Sequence, residues 1–251
     1  MSALSMEGVE LTYGGVKALQ KVSFSLGGSG IFGLIGPNGA GKTTCINVLT
    51  GFAQPSSGTV TLDGQSLQGC SPEQIRRRGI SRTFQAGRLF SALTVEENIA
   101  AAAIGLGQPR YQADQSAADI LEWMGLAAFS SRRASTLAYS DQRRVAIARA
   151  LVGKPSHLLL DEPAAGMSEA ESAELAIFIR RIRDELGTSV LLVEHNIAMV
   201  LSVCEDILVL DSGMPIEAGS PEVIRGSVVV REAYLGTSLD RREAGVQEMR
   251  A

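Results

Sequence analysis

Aromatic side chains are scarce in this chain, at 5% of 251 residues. Cysteine occurs three times, at 45, 70 and 204, odd in number and widely spaced, which excludes a disulfide framework or a zinc knuckle. Cys45 reads as a small buried residue. No apolar run approaches the ~20 residues that a membrane span needs. No basic segment followed by an apolar core opens the sequence, so no signal peptide is read. The expectation is a soluble, cytosolic chain that reaches any membrane through a partner. An excess of positive charge is also missing. Lys and Arg number 23 against 27 Asp and Glu, a net charge of −4, which argues against nucleic acid as the main partner. The arginines at Arg76-Arg77-Arg78 and Arg143-Arg144 read as solvated helix faces. What the chain does have is 45% hydrophobic residues, enough for a sizeable core, with 20% charged residues.

One stretch sets the chemistry: Gly36-Pro37-Asn38-Gly39-Ala40-Gly41-Lys42-Thr43-Thr44, a G-x-x-x-x-G-K-[ST] phosphate loop. The apolar run 31–35 leads in as a strand, and Thr44–Thr50 leads out at helical spacing. Backbone N–H groups of such a loop wrap phosphates, and the helix N-terminus adds its dipole. Lys42 is placed to reach the β- and γ-phosphates, and the Thr43 hydroxyl to hold Mg²⁺. The implication is binding of a nucleoside triphosphate with Mg²⁺.

Strands are expected at 6–13, 16–26 and 30–36, at Val60–Leu62 before an Asp63-Gly64 turn, and at 80–84. Pro72 opens a short helix that ends at Gly79. From 94 to 153 strand signals vanish and alanine is dense. Helices at 94–103, 112–124 and 141–153 suggest a helical insert, placed at about 90–153. Buried strands then return at 157–161, 190–194 and 207–210, with a helix ending at Gly187 between the first two. Apolar strands alternating with helices imply an α/β fold whose mainly parallel sheet is covered on both faces. Residues 237–251 are charged and expected to fray.

A second anchor is Leu158-Leu159-Leu160-Asp161-Glu162-Pro163. An aspartate ending a buried strand beside a phosphate loop is able to hold Mg²⁺. The adjacent Glu162 is able to orient and deprotonate an attacking water. Taken alone, the pair is an acidic turn after a core strand.

The order phosphate loop, Phe84-Gln85, Leu137–Arg144, Leu160-Asp161-Glu162-Pro163 and Glu194-His195 resembles the ATPase subunit of an ABC transporter, over residues 5 to 236. The resemblance implies a P-loop NTPase of the ABC type. It has a RecA-like core, an N-terminal antiparallel β subdomain and an inserted α-helical subdomain, all in one ATPase domain over 1–236. It implies a head-to-tail dimer, with the same or a related chain, around two ATPs. It also implies permease partners in the inner (plasma) membrane, the chain lying on their cytoplasmic side, and a periplasmic solute-binding protein reached through the permease. By the same resemblance Tyr13 stacks on adenine, Gln85 reaches Mg²⁺, and His195 contacts the γ-phosphate. Taken singly, Tyr13 is a strand-packing tyrosine and His195 a core or surface histidine.

Within the family, Arg82-Thr83-Phe84-Gln85, Arg88-Leu89-Phe90, Leu93–Asn98, Asp161–Met167 and Ala233-Tyr234-Leu235-Gly236 resemble the branched-chain amino acid subfamily. One departure stands out. The family signature L-S-G-G-Q, often L-A-Y-G-Q in that subfamily, here reads Leu137-Ala138-Tyr139-Ser140-Asp141. The resemblance implies that Ser140 and Asp141 face the partner's ATP, and a Cβ at 140 is expected to crowd that ATP or strain the loop. Ser168 is a milder departure, where Asp or Asn is frequent. The alternatives are a soluble ABC-type ATPase not coupled to transport, and a small-molecule kinase or GTPase. The latter fits the phosphate loop but not the signature, and no N-K-x-D guanine motif is present.

Overall fold

The computed structural model describes residues 3–84 and 89–234. The chain opens with β1 (Ala3–Tyr13) and β2 (Val16–Gly27), an antiparallel hairpin turned at Gly14-Gly15. Next come β3 (Ile31–Ile35), α1 (Lys42–Leu49), β4 (Ser57–Leu62), β5 (Gln65–Ser66), α2 (Pro72–Arg77) and β6 (Ile80–Arg82). The helices α3 (Val95–Gly105), α4 (Arg110–Trp123) and α5 (Tyr139–Leu151) follow without an intervening strand. The chain then alternates through β7 (His157–Asp161), α6 (Glu169–Leu186), β8 (Ser189–Val193), α7 (Ile197–Val203), β9 (Asp206–Asp211), β10 (Met214–Gly219) and α8 (Pro221–Gly226).

Two sheets result. One is antiparallel, in the order β2-β1-β4-β5, and the other runs β10-β9-β3-β8-β7-β6. Strands β9 through β6 of the second sheet pair in parallel, and β10 joins as an antiparallel edge. The run of leucines in β7 is explained by its two covers. Leu158 and Leu160 pack with the helices and the insert, while Leu159 packs toward the antiparallel sheet. Val190 and Leu192 of β8 divide from Leu191 and Val193 in the same way. Each such fully buried leucine is worth about 2 kcal/mol. The insert packs through small residues, with Ala100, Ala103, Ala113, Ala117 and Ala148 all buried, which lets the helices approach closely. Capping boxes at Ser71, Thr94 and Ser168 start α2, α3 and α6, and Gly187 in the left-handed region ends α6.

Two expectations are corrected. Arg143 is not solvated: it is buried, with its guanidinium over the Tyr139 ring. Arg76 donates to the carbonyls of Ala150 and Val152 at 3.2 and 2.7 Å, capping the C-terminus of α5 with a cation, and burial holds its pKa down at about 10. Arg77 and Arg78 are exposed as expected. The strand from Ile80 ends at Arg82 rather than at 84, although the Thr83 N–H still donates to the Leu159 carbonyl. Elements β5, α7, β10 and α8 are short, and no periodicity announced them.

His157 begins β7 wholly buried, with Nδ1 3.0 Å from the Ser156 hydroxyl. Burial lowers its pKa below 6.5, against the opposing pull of the Leu26 backbone and the Asp63 charge. A group with a depressed folded pKa binds its proton first in the unfolded chain. Stability is therefore unaffected well above pH 6.5 and falls as pH drops below it. At pH 5.5 the loss is at most about 1.4 kcal/mol. Urea unfolding at pH 7.5 and 5.5 should show this pH-linked loss shrinking in His157→Gln.

Candidate functional site

Parallel pairing of β3, β8 and β7 carries the C-terminal ends of all three strands to one edge of the sheet, where ligands of α/β proteins bind. From β3 the chain enters the loop 36–41, whose shape depends on glycine at two points. A Cβ on Gly36, at φ 150°, would meet the Leu210 carbonyl oxygen at 2.1 Å. One on Gly41, at φ 103°, would meet the Ala18 carbonyl oxygen at 2.7 Å. The loop is thus pressed between β9 and β2, and no Cβ fits at either contact. Gly213 reinforces this by donating to the Ala40 carbonyl and accepting from the Gln20 N–H. Helix α1 then starts at Lys42 with no side chain capping its N-terminus. Its first-turn amides, those of Lys42, Thr43 and Thr44, point out of the helix end, the arrangement that suits an anion.

Lys42 is buried, and its ammonium donates to the carbonyls of Gly36 at 2.7 Å and Pro37 at 3.0 Å. Desolvation lowers its pKa, opposed by the charges of Glu162, Asp161 and Glu194. Thr43 is exposed in the first turn of α1 and Thr44 half-buried. Asn38, Gly39, Ala40, Gly41, Lys42, Thr43, Thr44 and Glu162 line a single cleft of about 240 Å³. The acidic turn and the phosphate loop, 120 residues apart in sequence, therefore share one space.

Glu162 holds φ at 48°, a left-handed conformation costing a side-chain-bearing residue on the order of 1–3 kcal/mol. The strain is held by its N–H donating to Val193 O at 2.8 Å, and the turn brings the carboxylate to the cleft. Asp161, one residue earlier, is buried. Its Oδ2 accepts from Arg82 at 3.1 Å, and its backbone N–H donates to the Thr83 hydroxyl at 3.2 Å. Burial raises its pKa and the Glu162 charge adds to that, while Arg82 and Lys42 pull the other way. Asp161 Oδ1 is buried with no hydrogen-bond partner. An acceptor oxygen left open beside a phosphate loop fits Mg²⁺, a cation that takes one or two protein oxygens and completes its shell from substrate phosphates and water.

His195 follows β8, its side chain 55% exposed, outside the lining of the cleft. Tyr13 stands exposed at the tip of the β1–β2 hairpin, the hairpin whose Ala18 touches the loop at Gly41. Gln85 lies outside the described residues, as do Arg88, Leu235 and Gly236 of the subfamily motifs. In the signature, Ser140 occupies the first turn of α5 and Asp141 the next position, 3.8 Å from Arg144. Ser140 has no positive φ, so the expected loop strain does not arise: a helical backbone accepts serine as readily as glycine. Ser168 is explained locally. Its hydroxyl accepts the Glu171 N–H at the start of α6, as an aspartate there would.

Two residues of the site carried no role in the sequence reading. Glu194 is wholly buried. Its Oε1 accepts the Ala164 N–H at 2.7 Å, and its Oε2 accepts those of His195 at 3.1 Å and Asn196 at 3.4 Å. It ties the turn after β7 to the turn after β8. Arg82 is the other. In sequence both sit inside recognised motifs, and a charged residue at the end of an apolar strand is the only signal either gives.

Comparison with known proteins agrees with this geometry. A family model described as ABC transporter matches residues 19–165. The chain is 43% identical over 248 residues to the high-affinity branched-chain amino acid transport ATP-binding protein LivG of Escherichia coli (strain K12), covering 93% of this chain and 97% of that one. It is 40% identical, with the same coverage, to the protein BraF of Pseudomonas aeruginosa, which bears the same description. Among solved structures, the ADP conformation of MJ1267, an ATP-binding cassette of an ABC transporter, superposes with a TM-score of 0.84 at 28% identity, covering 94% of this chain and 99% of that one.

Lys42 is the cation that the loop places in the cleft. Lys42→Ala is expected to weaken Mg²⁺–ATP binding by about 10- to 100-fold, the worth of a charge-assisted contact. Titration with a fluorescent ATP analogue checks this, and unchanged affinity would remove Lys42 from phosphate binding.

Proposed function

The chain belongs to the ABC transporter family of ATPases, and we propose that it is the subunit whose ATP hydrolysis drives uptake of branched-chain or related amino acids through a membrane permease. The observation that carries this is the cleft shared by the phosphate loop and Glu162, in a chain 43% identical to LivG over nearly the full length of both. Among the described residues no helix is long and apolar enough to cross a membrane. Transport therefore requires permease subunits, the chain lying against their cytoplasmic side, with a solute-binding protein on the far side delivering the amino acid. Co-purification tests the reading against a soluble ATPase. The tagged chain extracted from membranes should bring integral membrane proteins with it, and recovery free of them would favour the soluble alternative.

In this mechanism two chains, identical or related, pack head to tail, each phosphate loop opposite the other's signature. The amides of 38–44 and the Lys42 ammonium bind the ATP phosphates. Lys42 exchanges its bonds to Gly36 and Pro37 for bonds to phosphate oxygens, so little hydrogen bonding is lost. Tyr13 supplies an exposed ring for the adenine. Thr43, Asp161 and Gln85 hold Mg²⁺, which when bound neutralises charge on the β- and γ-phosphates. Glu162, strained toward the cleft, orients the attacking water and takes its proton. His195 contacts the γ-phosphate as charge develops there, and Glu194 keeps the two turns bearing these residues in register.

Glu162→Gln keeps the shape and loses the base. ATP binding should persist while turnover falls about 100-fold or more and a closed dimer accumulates. His195→Ala should likewise cut turnover far more than affinity. Steady-state ATPase assays alongside nucleotide titrations separate the two effects, and a loss of affinity equal to the loss of turnover would make His195 merely structural.

The signature generates a further expectation. Asp141 lies in the first turn of α5, where a carboxylate complements the helix dipole and so subtracts from the positive field offered to the partner's γ-phosphate. Arg144 offsets part of that charge. With a partner of intact signature, the site on this chain's own phosphate loop is the competent one. The site closed by Ser140 and Asp141 binds ATP and turns over slowly. The double change Ser140→Gly, Asp141→Gln should raise the ATPase of the assembled complex several-fold, and an unchanged rate would show that the substitutions are tolerated.

A further inference from the structure

Arg82 ends β6 opposite Leu159 of β7, its side chain 8% exposed. Its guanidinium bonds three side chains on two elements. Nη2 donates to Asp161 Oδ2 at 3.1 Å, while Nη1 donates to Asn47 Oδ1 at 2.8 Å and Thr50 Oγ1 at 3.2 Å, at the C-terminal end of the phosphate-loop helix α1. It also packs against a pair of rings, with Cζ 4.5 Å from the centroid of Phe84 and 5.5 Å from that of Phe52. The two rings themselves meet edge to face, 5.8 Å apart. Both line an open groove of about 490 Å³ between α2, β6, α3 and α5, which shares no lining residue with the phosphate cleft.

We propose that Arg82 is a positioning residue: it fixes the Asp161 carboxylate with Oδ1 open toward the metal, and the rings of Phe52 and Phe84 fix Arg82. This deepens the function proposed above and rests on its reading of Asp161 as a Mg²⁺ carboxylate. The geometry requires the planar fork of arginine. A single ammonium neither reaches Asp161, Asn47 and Thr50 together nor offers a planar group to pack on the rings. Holding Oδ2 in a charge-assisted bond leaves one rotational setting for Asp161, and in that setting Oδ1 has no competing donor. The Asn47 and Thr50 bonds tie the same guanidinium to α1, the helix that carries Thr43. Both candidate metal oxygens, Thr43 Oγ1 and Asp161 Oδ1, are thereby referred to one rigid group. Phe84 directly precedes Gln85 in the chain, so a displacement of its ring moves the surface on which Arg82 rests and, through it, Asp161.

The test uses the full chain with a non-hydrolysable ATP analogue, Mn²⁺ replacing Mg²⁺, and reads bound metal from the loss of the free-Mn²⁺ EPR signal. Arg82→Lys and Phe84→Leu should each weaken Mn²⁺ binding about 10-fold, the usual effect of removing a partner behind a metal ligand. Analogue affinity in EDTA should stay unchanged for both, including Phe84→Leu, which keeps the Arg82 and Asp161 side chains and removes only the ring on which Arg82 rests. Asp161→Asn serves as the reference. If it weakens Mn²⁺ binding while Arg82→Lys and Phe84→Leu do not, the positioning role is overturned. If Asp161→Asn has no effect either, the assignment of Asp161 to the metal fails and the proposal falls with it. A parallel loss of analogue affinity in EDTA would show Arg82 to be structural support for the whole loop.

Discussion

Parallel pairing of β8 between β3 and β7 is the constraint on which everything else depends. Because the three strands run the same way, their last residues arrive at one edge together, and that edge receives the glycine loop, the Asp161–Glu162 turn and the Glu194–His195 turn. The pairing is secured by burial on both faces, Leu158 and Leu160 on one side and Leu159 on the other. Sliding β7 by one residue would exchange its faces and carry Asp161 away from the loop. The apolar runs thus have a chemical consequence. They fix the register in which two acidic residues meet a phosphate-binding loop.

Charge is handled at this edge by giving each buried ion a defined partner. Glu194 accepts three backbone N–H groups, Asp161 faces Arg82, and Lys42 rests on two carbonyls. In the proposed function two of these partnerships are structural and one is exchangeable: Glu194 and Arg82 stay bonded to the scaffold, whereas the carbonyl bonds of Lys42 give way to phosphate. The strained φ of Glu162 belongs to the same design. A conformation that disfavours folding is retained where it brings a carboxylate to the cleft, and the bond to Val193 holds it. The cysteines have no part in this chemistry. Burial pushes Cys45 and Cys204 up to about 12, so both remain protonated packing residues.

Much of this was legible in the sequence because the governing signals are local. The phosphate loop is nine consecutive residues, and the buried strands announce themselves by continuous apolar runs. Pro72, Gly187 and the Asp63-Gly64 turn all mark real boundaries. Roles that depend on tertiary contact were not legible. Arg76 and Arg143 read as surface charge because nothing local reveals that Arg76 finds the carbonyls of Ala150 and Val152, or that Arg143 folds over Tyr139. Glu194 reads as a strand end until the Ala164 amide, 30 residues earlier, is seen beside it. The short elements α7 and α8 have too few turns for a period to emerge.

The signature shows where a motif comparison and a structure part. Compared with the family pattern, Ser140 is a lost glycine and suggests a strained loop. In the fold it lies in an ordinary helical turn, so the backbone does not demand glycine there. What remains is a matter of approach and field: a Cβ and a carboxylate at the end of α5 that, in the proposed dimer, would meet the other subunit's ATP. Neither perturbs this chain's own fold, since Asp141 complements its helix dipole and pairs with Arg144. In the proposed head-to-tail dimer the cost of the altered signature is therefore carried across the interface, in the site to which this chain would contribute only the far wall.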